Sequence, residues 1–166
     1  MFFTQDLQNK AAQILAQAGQ KQLKIATAES CTGGLLAALL TEISGSSKVF
    51  ERGFVVYANE AKMQMLNVEV ELLQKYGAVS EQVAVAMAQG ALKNSFADVA
   101  IAITGIAGPD GGSDLKPVGL VHIAALNKNY PQRIIKRKFI FNGQRLEVRK
   151  AALVAALEVL CGIVIF

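Results

Sequence analysis

A short apolar run at residues 23–28 leads through the turn Glu29-Ser30-Cys31-Thr32-Gly33-Gly34 into a longer apolar run at residues 35–43. The first run has the length of a buried strand, and the second has the length of a helix. A strand that passes through glycines into a helix predicts a β–α unit with its turn at the surface. The start of such a helix offers free backbone N–H groups, and three potential nucleophiles of the turn, a serine, a cysteine and a threonine, lie beside them.

The remaining segments continue the alternation of strands and helices. Strands that alternate with helices are expected to be parallel, with helices on both faces of the sheet. The last two strands are close in sequence, which predicts a hairpin and an antiparallel strand. We therefore predict an α/β fold, a three-layer α/β/α sandwich on a mixed, mostly parallel sheet of about five strands, in a single domain over residues 1–166. After the first strand, strands are predicted at residues 54–57, 98–104, 119–126 and 133–141, and helices at residues 7–18, 70–76, 81–93 and 144–161, with a further short helix capped by Asn59.

Charge, cysteines and hydropathy narrow the class of protein. The formal net charge of +4 permits an anionic ligand, but the main basic cluster, at residues 133–138, alternates with apolar residues as an exposed strand face does, so no nucleic acid is expected. Two cysteines without a secretory leader predict reduced thiols and a cytoplasmic location. The apolar segment 151–166 is too short for a membrane span and contains Glu158 and Gly162, so we interpret it as a core helix with an apolar tail.

Polar residues follow the ends of the first three predicted strands. Ser30 follows the first strand, Tyr57 ends the second, and Thr104 ends the third. Lys62 lies about one helical turn beyond Asn59. Because ligands bind outside the carboxyl ends of parallel strands, we expect these side chains to meet in one crevice.

A serine beside a lysine is suited to nucleophilic acyl transfer. The hydroxyl needs an adjacent base, and a lysine serves when burial lowers its pKa. Backbone N–H groups at the start of the second helix can hold the developing oxyanion. Two other interpretations remain open from the residues alone: Ser30 is a helix N-cap, or Cys31 is the nucleophile, activated by the helix N-terminus.

Other chemistries have less support. His122 lies between Val121 and Ile123 in a predicted strand, which is typical of a core or sheet-face histidine and not of a catalytic triad. No His, Cys or Asp residues have metal-ligand spacing, and we expect neither a metal nor a cofactor. The glycine-rich stretches match no P-loop or dinucleotide fingerprint, although their N–H groups can hold phosphate.

Five motifs, in order along nearly the whole chain, resemble one family, the C-terminal domain of the competence/damage-inducible protein CinA. Its stand-alone members are nicotinamide-nucleotide amidohydrolases. The resemblance implies an α/β/α fold, usually a homodimer, that hydrolyses the carboxamide of nicotinamide mononucleotide to nicotinate mononucleotide and ammonia in pyridine nucleotide recycling. The motifs are Ala28–Gly34, Val56–Lys62, Gly77–Glu81, Thr104–Pro109 and Lys116–Val121.

The resemblance also implies residue roles. Ser30 is expected to be the nucleophile, Lys62 the general base and Tyr57 an assisting hydroxyl. The predicted substrate-binding residues are Cys31, Thr32, Gly33, Gly34, Asn59, Thr104, Gly105 and Arg145, the last of them for the substrate phosphate. Gln144 stands where the family has an acid before this arginine. The alternative function is a non-catalytic nucleotide-binding module of the same family, which uses both glycine-rich loops and Arg145.

Overall fold

The strands and helices alternate as the sequence predicts. The computed structural model describes residues 3–165. Because the first half of the chain alternates short apolar runs with amphipathic segments, each strand there is followed by at least one helix. The strands are β1 (Ile25–Glu29), β2 (Phe50–Val55), β3 (Val99–Gly105), β4 (Leu120–Asn127) and β5 (Ile134–Ile140); the helices are α1 (Gln5–Gln20), α2 (Leu35–Glu42), α3 (Asn59–Leu66), α4 (Val70–Tyr76), α5 (Glu81–Lys93) and α6 (Arg145–Val164), with one 3₁₀ turn at Ser46–Lys48.

The five strands form one mixed sheet in the order β2-β1-β3-β4-β5. Strands β2, β1 and β3 are parallel, β4 is antiparallel to β3, and β5 is antiparallel to β4. Helices α1, α2 and α6 share one apolar core with the sheet, and α3, α4 and α5 share a second core on the opposite face. The predicted three-layer α/β/α sandwich and its C-terminal hairpin are confirmed.

The two faces of the central strand β3 differ in side-chain size. Val99, Ile101 and Ile103 face the core with α1, α2 and α6, whereas Ala100 and Ala102 face the core with α5. Contacts on the α5 side are close elsewhere as well, because a Cβ added to Gly90 of α5 would lie 1.9 Å from the Leu66 carbonyl oxygen of α3. This close packing fixes the position of α3 over the sheet.

Two local predictions are wrong. The second strand covers Phe50–Val55 and not residues 54–57, so Tyr57 lies beyond its end. Within this strand Gly53 pairs with Thr27, and its missing side chain leaves room for Ala37 of α2, which a Cβ would approach to 3.1 Å. Asn59 does not cap α3: the N-cap position is Ala58, and Asn59 is the first helical residue.

The topology creates a crevice beside β1. From β1 the chain passes through α2 to β2 on one side, and the return through α3–α5 places β3 on the other side. The carboxyl ends of β1 and β3 therefore border a topological switch point, where α/β proteins bind ligands. None of the helices within residues 3–165 has the length and hydropathy that a membrane span requires.

Candidate active site

The predicted serine and lysine are in contact. Ser30 follows β1, and its backbone N–H donates to the Ile103 carbonyl of β3 at 3.0 Å, which fixes the residue at the sheet edge. Lys62 projects from the first turn of α3, and its Nζ lies 3.2 Å from Ser30 Oγ. Lys62 is 1% exposed and Ser30 is 7% exposed. The pair is therefore almost fully withdrawn from bulk water.

Burial and hydrogen bonding together define the surroundings of Lys62. Its Nζ donates to the carbonyl oxygens of Val56 and Tyr57, each at 3.0 Å. Burial lowers the pKa of Lys62, and the weaker effects of Cys31 and Glu60 oppose this shift. A neutral amine has two N–H bonds for the two carbonyls and one lone pair for the Ser30 hydroxyl. All three contacts of Nζ are thus compatible with the deprotonated form.

A carboxylate that the sequence reasoning missed occupies the start of α2. Glu29 is fully buried, and its two oxygens accept the N–H groups of Gly34, Leu36 and Ala37 at 2.8–3.1 Å. The helix N-terminus stabilises this negative charge. Ser30 is therefore not the helix cap, and the capping interpretation is wrong. An acid at the end of an otherwise uncharged strand, just before a predicted helix, is the signal that could have revealed this role.

The turn after Ser30 has few free N–H groups. The Gly33 N–H donates to the Ser30 carbonyl at 3.0 Å, and the Gly34 N–H donates to Glu29. By contrast, the Cys31 N–H donates to no other residue within the described chain. Of the turn residues, Cys31 also lines the cavity in front of Ser30. Gly33 and Gly34 are therefore engaged within the turn, whereas the N–H groups of Cys31 and Thr32 donate to no other residue of the described chain.

A small inner cavity of about 210 Å³ opens beside the serine–lysine pair. The predicted residues Thr32, Gly33 and Gly34 do not line it, and Thr32 is fully buried. These three residues form the turn that follows Ser30, and other residues form the wall of the cavity. The other predicted site residues do line it: Ser30, Cys31, Tyr57, Asn59, Lys62, Thr104, Gly105 and Arg145. Ala78, Val79 and Ala107 also line it.

Two polar side chains hold the far wall of the inner cavity. Thr104 Oγ1 donates to the Ala78 carbonyl at 2.8 Å. The ammonium of Lys116, from the long loop before β4, donates to the carbonyls of Tyr76 and of Val79, the latter at 2.8 Å. Both contacts fix the connection between α4 and α5. The Thr104 hydroxyl thus donates its hydrogen within the protein.

Arg145 joins the inner cavity to a larger outer cavity of about 620 Å³. Its guanidinium donates to the Gly108 carbonyl at 2.8 Å and to the Tyr57 hydroxyl at 2.9 Å. Both partners are neutral, and no ion pair within residues 3–165 includes Arg145. Glu147 instead accepts the Gln144 N–H at 2.6 Å at the start of α6. The positive charge of Arg145 is therefore available to an anionic group.

A second arginine of α6, Arg149, was not predicted. Its Nε donates to the Cys31 carbonyl at 3.1 Å, and its Nη2 donates to the Thr32 carbonyl at 3.0 Å. One helical turn after Arg145, Arg149 also lines the outer cavity. No short-range sequence pattern links it to the turn, because 117 residues separate Arg149 from Thr32.

The other candidate groups have unsuitable surroundings. Burial raises the pKa of the Cys31 thiol to about 11, so this cysteine is not a thiolate at neutral pH. Burial, assisted by Lys138, lowers the pKa of His122, which lies in β4 away from the cavity lining. Within residues 3–165, no three His, Cys, Asp or Glu side chains form a cluster that could hold a metal ion.

Sequence and structure comparisons identify relatives of the chain. It is 51% identical over 152 residues to the nicotinamide-nucleotide amidohydrolase PncC of Escherichia coli strain K12, which covers 89% of this chain and 91% of that protein. It is 54% identical over 141 residues to a putative competence-damage inducible protein of Caldicellulosiruptor saccharolyticus, which covers 85% of this chain but only 34% of the relative. The chain thus spans about a third of the length of that relative.

A crystal structure of a related protein has the same fold as this chain. The competence/damage inducible protein CihA of Agrobacterium tumefaciens superposes with a TM-score of 0.93 at 48% identity, over 97% of both chains. The family model of the CinA C-terminal domain matches residues 7–164. The match includes the whole of the sheet and both cavities. The chain therefore belongs to the CinA C-terminal domain family.

Proposed function

We propose that this chain hydrolyses the carboxamide of nicotinamide mononucleotide to nicotinate mononucleotide and ammonia, as part of pyridine nucleotide recycling in the cytoplasm. The observation that carries the proposal is the buried contact of 3.2 Å between Lys62 Nζ and Ser30 Oγ at the wall of the inner cavity. The similarity to PncC, which is a nicotinamide-nucleotide amidohydrolase, supports the choice of substrate.

The first half of the reaction forms an acyl-enzyme. Neutral Lys62 accepts the Ser30 proton while Ser30 Oγ attacks the carboxamide carbon. The Cys31 N–H, which belongs to the residue after the nucleophile, stabilises the oxyanion of the tetrahedral intermediate. Protonated Lys62 then gives its proton to the leaving nitrogen, and ammonia departs as the carbonyl re-forms.

The second half releases the acid. A water molecule takes the place of ammonia, Lys62 accepts one of its protons, and the hydroxide attacks the Ser30 ester. The collapsing intermediate expels Ser30 Oγ, which recovers its proton from Lys62. Nicotinate mononucleotide leaves, and the enzyme returns to its starting state.

The two cavities suggest how the nucleotide lies. The inner cavity is small, and a flat aromatic amide placed there would meet Ser30. Arg145 stands between the cavities without an acidic partner in the described chain, so the phosphate is expected on the side of Arg145. Tyr57 then lies between the ring and the phosphate, with its hydroxyl held by Arg145 at 2.9 Å.

An ammonia-release assay on nicotinamide mononucleotide tests the proposal with two neighbouring substitutions. Ser30→Ala removes the nucleophile and is expected to abolish release, whereas Cys31→Ala is expected to retain most of it. The reverse result would assign the nucleophile to Cys31. Saturable binding of the nucleotide without any ammonia from the wild type would favour a non-catalytic binding module.

The homodimer belongs to the same proposal. The family resemblance implies it, and two large apolar residues, Val55 of β2 and Leu146 of α6, are exposed. The mass of the purified chain in solution tests it. A mass of one chain at micromolar concentration would contradict it.

A further inference from the structure

Arg149 is charged and connected to the reacting serine through the backbone, but the proposed reaction does not use it. It projects from the second turn of α6 onto the turn that follows Ser30. Two of its N–H groups donate to the carbonyls of Cys31 and Thr32. No carboxylate of the described residues forms an ion pair with it. A partly buried cation held only by backbone carbonyls polarises those peptide groups.

The contacts of Arg149 continue to the oxyanion donor. Its Nη2 donates to the Thr32 carbonyl, which shares a peptide group with the Gly33 N–H. The Gly33 N–H donates to the Ser30 carbonyl at 3.0 Å, and that carbonyl shares a peptide group with the Cys31 N–H. In such a chain each accepted hydrogen bond strengthens the next donor. The chain runs from the guanidinium to the N–H beside the nucleophile.

The backbone of the turn depends on this support. Gly33 has φ of +61° and Gly34 has φ of +92°, left-handed conformations that glycine adopts without the steric cost of a side chain. Glu29 holds the helix side of the turn through the Gly34 N–H at 3.1 Å. Arg149 holds the opposite side through two carbonyls. The turn is thus fixed by an anion on its N–H groups and a cation on its carbonyls.

We propose that Arg149 is a positioning residue for acyl transfer, whose guanidinium orients and polarises the turn of residues 30–33 so that the Cys31 N–H stabilises the oxyanion. The inference rests on the proposed amidohydrolase function. Its contribution concerns the chemical steps and not substrate binding, because the oxyanion is absent from the bound substrate and develops in the transition state that leads to the tetrahedral intermediate. Loss of the guanidinium therefore lowers kcat and leaves substrate binding nearly unchanged.

The position of Arg149 at the outer cavity gives a competing role, a direct contact with the substrate phosphate. The two roles differ in their kinetic signatures. A phosphate ligand would affect KM and the inhibition constant of the product nicotinate mononucleotide. A positioning residue would affect kcat. Arg145, one turn earlier on α6 and expected on the phosphate, provides the comparison.

The experiment compares Arg149→Met and Arg149→Lys with Arg145→Met and with Lys150→Met, an exposed control on the same helix. For Arg149→Met, kcat is expected to fall about 10- to 100-fold, below the loss typical for a deleted oxyanion donor, while KM and the inhibition constant change less than about threefold. Arg149→Lys, which keeps the charge, recovers part of kcat. A further variant, Arg149→Ala, is expected to recover part of its activity when guanidinium ion is added. Lys150→Met behaves as the wild type.

Several outcomes would overturn the inference. Unchanged kcat in Arg149→Met would exclude the positioning role. A rise in KM and in the inhibition constant at constant kcat would assign Arg149 to the phosphate. Arg149→Met and Arg149→Lys could also lose the same amount of activity and show the same lowered melting temperature, without rescue of Arg149→Ala by guanidinium. That result would leave only a structural role. A wild type without ammonia release would contradict the proposed function itself.

Discussion

Replacing Lys62 with methionine separates the chemistry of the amine from its packing. Methionine keeps an unbranched apolar side chain in the buried surroundings of Lys62 but removes Nζ and its contacts with Ser30 Oγ and two carbonyls. Because Lys62 is 1% exposed, the remaining side chain stays in the same surroundings. If the amine is the general base, the variant loses activity and keeps its fold.

The expected change in stability is small because two effects oppose each other. The lost hydrogen bonds to the carbonyls of Val56 and Tyr57 cost about 0.5–1.5 kcal/mol each. Burial lowers the pKa of Lys62, which means that folding disfavours its charged form, and methionine removes this cost. We expect the free energy of unfolding at pH 7 to fall by about 2 kcal/mol or less. Activity falls about 10²- to 10⁴-fold, the range typical for a general base.

The pH dependence of stability and of activity tests the protonation of Lys62 most directly. A lysine with a lowered folded pKa is protonated in the unfolded chain over a range of pH below 10.5 in which the native amine is neutral. The unfolded state then binds more protons, so wild-type stability rises with pH there, with a limiting slope of about 1.4 kcal/mol per pH unit. Lys62→Met lacks this rise. In the wild type, kcat/KM rises with pH as Lys62 loses its proton.

Urea unfolding at several pH values and ammonia release measure both effects, with the exposed Lys93→Met as control. Parallel stability profiles of the wild type and Lys62→Met would show that the amine remains charged in the native state. Activity of Lys62→Met within about threefold of the wild type would rule out a general-base role, whose loss is expected to cost at least about 10²-fold.

Two further predictions concern stability. Gly90→Ala is expected to destabilise the protein by about 1–3 kcal/mol and to lower activity, because the new Cβ would meet the Leu66 carbonyl at 1.9 Å and displace the helix that carries Lys62. The control is Gly19→Ala in α1, where a Cβ would have only Val49 as a neighbour, at 3.5 Å. This variant is expected to be neutral or stabilising by up to about 1 kcal/mol. Equal urea midpoints for the two variants would contradict this. Burial lowers the pKa of His122, so the unfolded chain takes up its proton first, and wild-type stability is expected to fall as the pH drops through 6.5. His122→Gln is expected to flatten this fall in urea titrations between about pH 7.5 and 5, and an unchanged slope would refute it.

Much of the fold followed from periodicity alone. The alternation of apolar runs with amphipathic segments predicted parallel strands covered on both faces, and the short spacing of the last two strands predicted the hairpin. These features depend on local spacing, which the sequence displays directly. The second strand was placed too late because Gly53 resembles a break. Only the neighbouring helix shows why a glycine suits this position, since a Cβ there would lie 3.1 Å from the Ala37 side chain.

The residues that support the site were harder to find. Glu29 and Arg149 bond only to backbone groups of the turn, and such contacts leave no pattern of side-chain types in the sequence. The same applies to Lys116, which holds the cavity wall through carbonyls. That the Cys31 N–H donates to no other residue likewise becomes visible only when the hydrogen bonds of the turn are known.

By itself, the sequence determined the three layers, the strand ends at which polar residues collect, and the resemblance that pointed to Ser30 and Lys62. These depend on the order of residues along the chain. Tertiary structure alone decided that Lys62 Nζ lies 3.2 Å from Ser30 Oγ, that Glu29 occupies the start of α2, and that Arg149 holds the turn from the last helix. The physical reason is that burial and hydrogen-bond geometry between distant segments set the protonation and orientation of these groups, and neither quantity is encoded in local spacing.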